Sequence, residues 1–252
     1  MKQSKPLRLL TLNLWGGKLY DRLLPFLKEQ AKRTDIFCFQ EVFDNPPGVE
    51  SRMRHYARGS LYKDLQLALP AFRGILSSPQ QGEKCIAIFA RKTLRTAGSG
   101  EVYVYRHKDA MAGADPSTMG ITLQHLALRS GRGKVTVCNL HGHWYPGPKG
   151  DTPARLEQSR NVRRFLKTLE GPVILCGDFN LNPQTRSLRL LEQGMRNLVK
   201  EAGVTSTRSS FYQWPSLFAD YILVSRDLVF QSFAVLPDEV SDHLPLALEF
   251  SL

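Results

Sequence analysis

The stretch VILCGDFNLNP, residues 173–183, carries the pattern that decides the fold. An apolar run leads into Gly177, and a carboxylate, Asp178, and a carboxamide, Asn180, follow it. A short apolar run that is bounded by Gly and Pro predicts a buried β-strand. Because Gly177 has no side chain, a ligand or a neighbouring backbone can approach it closely. The stretch therefore predicts a strand that delivers polar side chains at its end.

The same arrangement recurs along the chain, where apolar runs begin or end with carboxylates, carboxamides or imidazoles. The polar residues at these strand ends are Asn13, Gln40, Glu41, Asn139, His141, His143, Asp178, Asn180, Asp220, Asp242 and His243. A single Asn or Asp in such a place is typical of a turn. Glu41 follows the apolar FCFQ, and its desolvation cost would be offset by metal binding or a buried hydrogen-bond network. Together these groups indicate a polar site at the strand ends.

Hydrophobic periodicity predicts eleven strands and four helices. The predicted strands are Leu7–Leu14, Asp35–Gln40, Phe72–Leu76, Cys85–Ala90, Val102–Tyr105, Ile121–Leu128, Lys134–Leu140, Pro172–Cys176, Asp220–Val224, Val229–Val235 and Leu246–Phe250. The predicted helices are Leu19–Lys32, Leu61–Leu69, Pro153–Leu169 and Gln184–Gln193, with Thr152 as the N-cap of the third. Eleven strands indicate more than one sheet, so we expect one α/β domain over residues 1–252 with mixed sheets.

The composition excludes several classes of protein. The chain has 252 residues, of which 42% are hydrophobic, so it is neither disordered nor dependent on disulfides for a core. It holds no apolar run long enough to span a bilayer, and its N-terminus reads as a strand rather than a signal peptide. The four cysteines lie within apolar runs, which predicts buried free thiols. We therefore expect a cytoplasmic protein with no stable membrane insertion.

The charge points to a polyanionic partner. The chain carries 34 Lys and Arg against 23 Asp and Glu, a formal net charge of +11. A basic balance of this size favours binding to nucleic acid or to another polyanion. A generic basic surface with no partner is the alternative that charge alone leaves open.

The polar residue types are those that hydrolysis of a phosphate ester needs. Carboxylate and amide oxygens suit Mg²⁺ or Mn²⁺, and such a metal offsets phosphate charge. A carboxylate can orient or deprotonate water, and an imidazole can stabilise the charged transition state. The sequence holds no GxSxG, no P-loop and no GxGxxG, which disfavours a serine hydrolase or a nucleotide-cofactor fold.

Six stretches in order resemble the motifs of the endonuclease/exonuclease/phosphatase superfamily, which has the deoxyribonuclease I-like fold. They are LTLNLWGG (10–17), FCFQEVF (37–43), NLHGHW (139–144), CGDFNLNP (176–183), FADYILVS (218–225) and SDHLPL (241–246). The resemblance spans nearly the whole chain, and GDFN and SDHLP are its most specific pieces. It implies a four-layer α/β (α+β) sandwich with two central mixed β-sheets and a site at their shared edge.

The resemblance also implies the roles of the polar residues. Glu41 would hold the divalent metal, Mg²⁺ or Mn²⁺, with help from Asn13 and Asp242. The residues with implied catalytic roles are Asp178, which would activate water, Asn180, which would orient it, His243 with its partner Asp220, and His141 as a second phosphate contact. The predicted substrate-binding residues are Asn139, His143, Trp144 and Arg155. For Arg155 and Gln158 we favour the alternative that they tie their helix to the sheet edge.

The third motif narrows the choice of substrate. Its histidines are similar to those of the deoxyribonuclease I, sphingomyelinase and tyrosyl-DNA phosphodiesterase branches, and it differs from the Tyr-containing motif of exonuclease III-like apurinic endonucleases. We expect a monomeric metal-dependent phosphodiesterase that acts on nucleic acid, with an endonuclease favoured among such enzymes and DNA favoured over RNA. The alternatives are a phosphoesterase of phospholipid headgroups or inositol-type phosphates, and a catalytically silent binding module. Aromatic residues near the predicted site suit stacking on bases or covering a lipid headgroup: Trp15, Trp144, Tyr145, Phe211, Tyr212 and Trp214.

Overall fold

The strands of the computed structural model form two six-stranded sheets, as described over residues 6–45, 58–80, 84–106, 120–130, 133–145 and 147–251. The strands are β1 (Leu7–Asn13), β2 (Ile36–Val42), β3 (Phe72–Leu76), β4 (Cys85–Arg91), β5 (Thr96–Tyr105), β6 (Ile121–Ser130), β7 (Gly133–His141), β8 (Val173–Asp178), β9 (Met195–Asn197), β10 (Asp220–Ser225), β11 (Phe230–Val235) and β12 (Leu246–Phe250). The helices are α1 (Tyr20–Gln30), α2 (Leu61–Ala68), α3 (Pro153–Leu166), α4 (Arg186–Glu192) and α5 (Leu198–Glu201), and a 3-10 turn covers Trp15–Gly17.

Both sheets are mixed, as predicted. The first has the strand order β11-β12-β1-β2-β4-β3, and the second has the order β5-β6-β7-β8-β10-β9. Each contains one parallel pair near its centre, β1 with β2 and β7 with β8, and the other pairs are antiparallel. The predicted sandwich with two central mixed sheets is therefore confirmed.

The sheets face each other across one apolar core, and helices cover their outer faces. Alternation along the strands sorts the side chains: Leu9 of β1 and Cys38 of β2 join the core between the sheets. Leu10 of β1 instead joins a second cluster with Leu23 of α1 and Leu61 of α2 on the outer face of the first sheet. The four cysteines are buried and free, as predicted.

Most predicted elements are confirmed, with shifted ends. The α3 helix begins as predicted, because the Thr152 side chain accepts a hydrogen bond from the Arg155 backbone N–H at 3.2 Å. It ends at Leu166 rather than Leu169. The short β9 strand and α5 helix were not predicted, because elements of three and four residues are too brief to show periodicity.

The two parallel pairs bring the polar strand ends together. In the first sheet Asn13 is paired with Gln40, and in the second His141 is paired with Asp178. The antiparallel β10 then places Asp220 opposite Asp178. The carboxyl ends of β1, β2, β7 and β8 and the amino end of β10 meet at one edge of the sandwich, and the polar site lies there. Within the described chain, no helix is both long and apolar enough to cross a bilayer.

Candidate active site

A bulge at the end of β2 places the Glu41 side chain. The register between β2 and β4 shifts between Phe39 and Val42, and Glu41 has a φ of 55°. A bulge bends the strand and redirects a side chain. The Glu41 Oε1 atom consequently lies 2.7 Å from Lys84 Nζ and 3.8 Å from His141 Nε2.

The end of β8 is shaped by close backbone packing. Gly177 has a φ of +128°, and a Cβ atom there would lie 2.1 Å from the carbonyl oxygen of Leu140. Of the two predicted reasons for this glycine, approach of a neighbouring backbone is the one the structure shows. Just beyond it, the Asn180 backbone N–H donates to Asp178 Oδ1 at 2.8 Å, and Asn180 has a φ of 54°. This local turn fixes the orientation of the Asp178 carboxylate.

Asp178 lies at the centre of the site. Asn13 Nδ2 donates to its Oδ2 atom at 3.0 Å, and the Nε2 atoms of His243 and His141 lie 3.6 and 3.8 Å from the same oxygen. Burial by itself raises the pKa of Asp178, but surrounding positive groups outweigh burial and hold it well below its usual range. Those groups are Lys149, His243, His141 and Arg208. Asp178 is therefore an ionised carboxylate at neutral pH.

A second carboxylate orients His243. The Nδ1 atom of His243 lies 2.8 and 2.9 Å from the two oxygens of Asp220, and the Thr207 hydroxyl donates to Asp220 Oδ2 at 3.0 Å. Because Nδ1 faces a carboxylate, it carries the proton. The Nε2 atom then points towards Asp178 and contacts the Arg208 guanidinium.

The remaining predicted carboxylates face different surroundings. Burial raises the pKa of Glu41, but Lys84 and the imidazoles of His141 and His243 outweigh burial and lower it to about 2. Burial raises the pKa of Asp242, and the charges of His243 and Arg208 only partly oppose that rise. Asp242 Oδ2 lies 3.6 Å from Arg208 Nη1.

These groups line an open cleft of about 340 Å³, the catalytic cleft. Its walls include Glu41, Asp178, Asn180, Asp242 and His243. Carboxylate and carboxamide oxygens are the donors that Mg²⁺ and Mn²⁺ prefer, so this donor set fits the metal that the family resemblance implies. Asp178, Asp220 and His243 also offer ligand atoms within 4.8 Å of one another. Asp220 and His243 are hydrogen-bonded to each other, as Glu41 is to Lys84.

Sequence reasoning missed the cations of this cleft, which are Lys18, Lys84, Lys149 and Arg208. Lys149 Nζ donates to Asn180 Oδ1 at 2.7 Å. Burial lowers the pKa of Lys149 to about 8, against the raising effect of Asp178. Nothing local marks these four among the 34 basic residues of the chain, because each reaches the cleft through the fold.

Two predicted substrate-binding residues lie beneath the cleft rather than in its wall. Asn139 is fully buried, and its Nδ2 atom donates to the carbonyl oxygens of Phe39 and Ala87 in the opposite sheet. The Arg155 guanidinium, also buried, donates to three backbone carbonyls, of His143, Pro148 and Gly150. These bonds favour positioning over substrate contact for both residues, and for Arg155 they fit the structural tie that we favoured.

The other two predicted substrate-binding residues differ in exposure. His143 is buried with its ring edge-on to Tyr105, and its backbone N–H donates to Gln158 Oε1 at 2.8 Å. Gln158 thus also ties α3 to the loop after β7. Trp144 is 42% exposed and lines the catalytic cleft. Of the four predicted residues, only Trp144 meets solvent at the site.

Comparison with known proteins agrees with this geometry. Among solved structures, an endonuclease/exonuclease/phosphatase family protein of Bacteroides thetaiotaomicron is 21% identical over 99% of this chain and 98% of its own, with a TM-score of 0.75. A mannosyl-6-phosphatase of Bacteroides thetaiotaomicron VPI-5482 is 21% identical over 98% of this chain and 100% of its own, also with a TM-score of 0.75. D. rerio TDP2, complexed with a single-strand DNA product, is 16% identical over 99% of this chain and 100% of its own, with a TM-score of 0.72.

These identities establish likeness of fold alone. No curated protein sequence matches the chain. The family model described as Endonuclease/Exonuclease/phosphatase family matches residues 10–243, which include the first five motifs and the first three residues of the sixth. The chain therefore belongs to the endonuclease/exonuclease/phosphatase family, whose members are hydrolases of phosphate esters.

Proposed function

We propose that this protein is a Mg²⁺- or Mn²⁺-dependent phosphodiesterase that cleaves nucleic acid, with DNA preferred to RNA. The observation that carries the proposal is an ionised carboxylate, Asp178, beside a carboxylate-oriented imidazole, His243, in a cleft that four cations line. A carboxylate and an imidazole suffice for acid–base work on a phosphodiester. The extra cations suit a substrate with several phosphates.

The residues divide the work of hydrolysis between them. Asp178 accepts a hydrogen bond from the attacking water and draws its proton away, while Asn180 and Asn13 hold the carboxylate and its surroundings in place. His243 contacts the phosphate through Nε2 and stabilises the charge that develops there. Glu41 and Asp242 would hold the metal, which neutralises phosphate charge when bound. Lys149 and Arg208 add positive charge beside the same phosphate.

The nucleic-acid part of the proposal rests on charge and on exposed rings. The net charge of +11 favours a polyanion, and the four buried free cysteines suit a reducing, cytoplasmic setting. The D. rerio TDP2 complex supports nucleic acid as a substrate within this fold. The similarity to a mannosyl-6-phosphatase supports small phosphate esters as alternative substrates of the same fold.

A specific observation keeps a second candidate function in view. Trp144 and Trp214 are exposed near the catalytic cleft, and exposed Trp residues also suit the interface of a lipid membrane. A phosphoesterase of phospholipid headgroups or inositol-type phosphates is therefore the alternative to test.

A substrate panel with metal controls tests the proposal. Purified protein is incubated with plasmid, single-stranded DNA, RNA, 5′-tyrosyl DNA, sphingomyelin and inositol phosphates, in Mg²⁺, Mn²⁺ or EDTA. We expect metal-dependent cleavage of DNA that Asp178→Asn and His243→Ala each reduce by about 10²-fold or more. Asp227→Asn, which removes an exposed carboxylate outside the cleft, is the matched control.

Two outcomes would contradict the proposal. Cleavage that persists in EDTA, or that survives in Asp178→Asn while this variant melts like the wild type, would exclude the assigned mechanism. Turnover of sphingomyelin or inositol phosphates without any cleavage of nucleic acid would establish the alternative.

A further inference from the structure

We propose that a second cleft beside the catalytic one binds the nucleobase that adjoins the scissile phosphate, an inference that rests on the proposed function. This aromatic cleft has a volume of about 720 Å³. Its walls carry the rings of Trp144, Tyr145, Tyr212 and Trp214, with Asn182 and Ser216 as polar neighbours.

The two clefts are continuous. Trp144, Lys149 and Tyr212 line both of them. The backbone joins them as well, because the Asn182 N–H donates to the Lys149 carbonyl oxygen at 3.0 Å. Asn182 itself follows Asn180 of the catalytic cleft by two residues. A ligand that extends along this shared wall would therefore reach both clefts.

The rings of the aromatic cleft divide into covered and open ones. Arg208 lies over the Tyr212 ring at 3.9 Å, just as Lys18 covers Trp15 at 4.1 Å in the catalytic cleft. Across the described residues, no cation or second ring packs on Trp144 or Trp214. Trp214 is 73% exposed. The open indole faces are available to stack on a flat ligand.

The lining favours a flat polar ligand over an acyl chain. Its apolar surface comes from aromatic rings and prolines, and Leu, Ile, Val and Met are absent from the residues that line the cleft in the described part of the chain. Flat rings match the flat face of a base, whereas an acyl chain is better enclosed by branched aliphatic side chains. A nucleobase is also the flat group that a phosphodiester of nucleic acid presents next to its phosphate.

Asn182 supplies a hydrogen bond that an acyl chain would not use. The Ser216 hydroxyl donates to Asn182 Oδ1 at 2.7 Å, which orients the carboxamide. The Asn182 Nδ2 atom donates no hydrogen bond within the ranges that the structure describes. An amide N–H at the wall of an aromatic cleft suits an acceptor on the edge of a base. Stacking and this one donor together define the recognition.

The experiment compares a base-bearing substrate with its abasic analogue. Single-stranded oligonucleotides carry either an intact base or a tetrahydrofuran residue next to the scissile phosphate, and kcat/KM is measured on both. For the wild type we expect a ratio of about 10 or more in favour of the base, the size of a stacking interaction. Trp214→Ala and Asn182→Ala should bring this ratio towards 1, and Trp214→Phe should restore most of it. Leu67→Ala is the matched control, because Leu67 has the same 73% exposure on a distant helix.

A binding measurement separates this proposal from the proposed function. Calorimetry of a nucleoside monophosphate in EDTA requires no cleavage, and we expect Trp214→Ala to weaken binding by about 10-fold. Binding that depends on Trp214 in a protein that hydrolyses no nucleic acid would uphold the base site alone. Cleavage without any base preference would uphold the proposed function and overturn the base site. Trp214-dependent sedimentation with phosphatidylcholine and sphingomyelin vesicles, without base preference, would assign the cleft to lipid and overturn the proposal.

Discussion

The contact between Asp220 and His243 decides which atom of the imidazole faces the catalytic cleft. Both carboxylate oxygens lie within 2.9 Å of Nδ1, so the proton stays on that nitrogen. The Thr207 hydroxyl holds the carboxylate from its other side. Nε2 is then the atom that contacts Arg208 and faces Asp178. A neutral side chain in place of Asp220 would no longer orient the His243 ring. It would also supply no negative charge to stabilise the imidazolium form.

We therefore predict that Asp220→Asn lowers kcat by about 10²-fold or more, with a smaller change in KM. The physical reason is loss of charge stabilisation in the transition state, while the phosphate-binding cations remain. Steady-state kinetics on the best DNA substrate checks this, with Asp227→Asn as the control. A kcat within twofold of the wild type would remove Asp220 from the mechanism.

The buried Lys149 predicts that activity depends on pH in the alkaline range. Burial lowers its pKa to about 8 in the folded protein, against an ordinary value of 10.5. As pH rises through about 8, the Lys149 ammonium loses its proton and the positive charge beside Asn180 disappears. Activity should therefore fall above that pH. Between 8 and 10.5 the unfolded chain binds more protons at this group, so its contribution to stability rises with pH. The fall in activity should therefore occur without unfolding.

The measurement is a pH–rate profile of the wild type beside Lys149→Arg. Arginine keeps its charge over this range, so the alkaline decline near pH 8 should disappear in the variant. Melting temperatures at each pH verify that both proteins stay folded. An identical decline in both proteins would show that another group titrates.

At the residue scale, the sequence predicted the site residues that lie at strand ends. It did not predict the cations that reach the site from segments outside the strands. Asp178 is the last residue of β8 and Glu41 is the last but one of β2, so the apolar run before each marks its position. Lys149 and Arg208 lie outside the strands, in segments without periodicity. Arg208 reaches His243 across 35 residues of sequence, and no local pattern encodes such a contact.

At the scale of elements, the site depends on where strands end and how closely they pack. The parallel pairs deliver Asn13, Glu41, His141 and Asp178 to one edge. The apolar runs predicted that these groups lie at strand ends, and the family resemblance implied the shared edge. The bulge that turns Glu41 inward was not predicted, because a φ of 55° at a non-glycine residue is set by its neighbours in the sheet. The sequence therefore predicts which edge of the sheets carries the site, but not the direction in which every side chain at that edge points.

The packing of β8 against β7 predicts that Gly177→Ala is costly. The new Cβ atom would lie 2.1 Å from the Leu140 carbonyl oxygen, and backbone cannot retreat as a flexible side chain does. Gly98 is a matched control, because its φ of +131° is nearly the same as the +128° of Gly177 but nothing lies within 4 Å of its Cβ position. Gly98→Ala thus measures backbone strain alone.

We expect Gly177→Ala to lower the free energy of unfolding by at least about 2 kcal/mol more than Gly98→Ala does. Urea denaturation of both variants measures the difference. Because Gly177 adjoins Asp178, activity should also fall in the part of Gly177→Ala that remains folded. Equal losses of stability in the two variants would show that the contact relaxes.

At the scale of the whole molecule, the excess of positive charge lies outside the site, where acids and cations balance. Acids are concentrated at the catalytic centre, where Glu41, Asp178, Asp220 and Asp242 lie close together. The four cations of the cleft offset these four acids, so the rest of the chain, with 30 Lys and Arg against 19 Asp and Glu, still carries the whole net charge of +11. A long polyanion would meet this basic surface before its scissile phosphate reaches the carboxylates and the metal, and electrostatic attraction would speed the encounter.

This arrangement predicts a steep dependence of DNA binding on salt. Each phosphate that a cation contacts contributes about −0.7 to the slope of log K against log [salt] for a single strand. Lys18 is exposed at the wall of the catalytic cleft, so Lys18→Gln should make the slope less steep by about that amount. Lys28→Gln, a change at another exposed lysine, on α1 outside the cleft, should leave the slope unchanged. Fluorescence anisotropy of a labelled oligonucleotide in EDTA, from about 50 to 200 mM salt, measures both slopes.

If the two variants change the slope equally, DNA is held by diffuse surface charge. If neither does and the wild-type slope is near zero, the basic surface serves another partner, and the case for nucleic acid loses its electrostatic support.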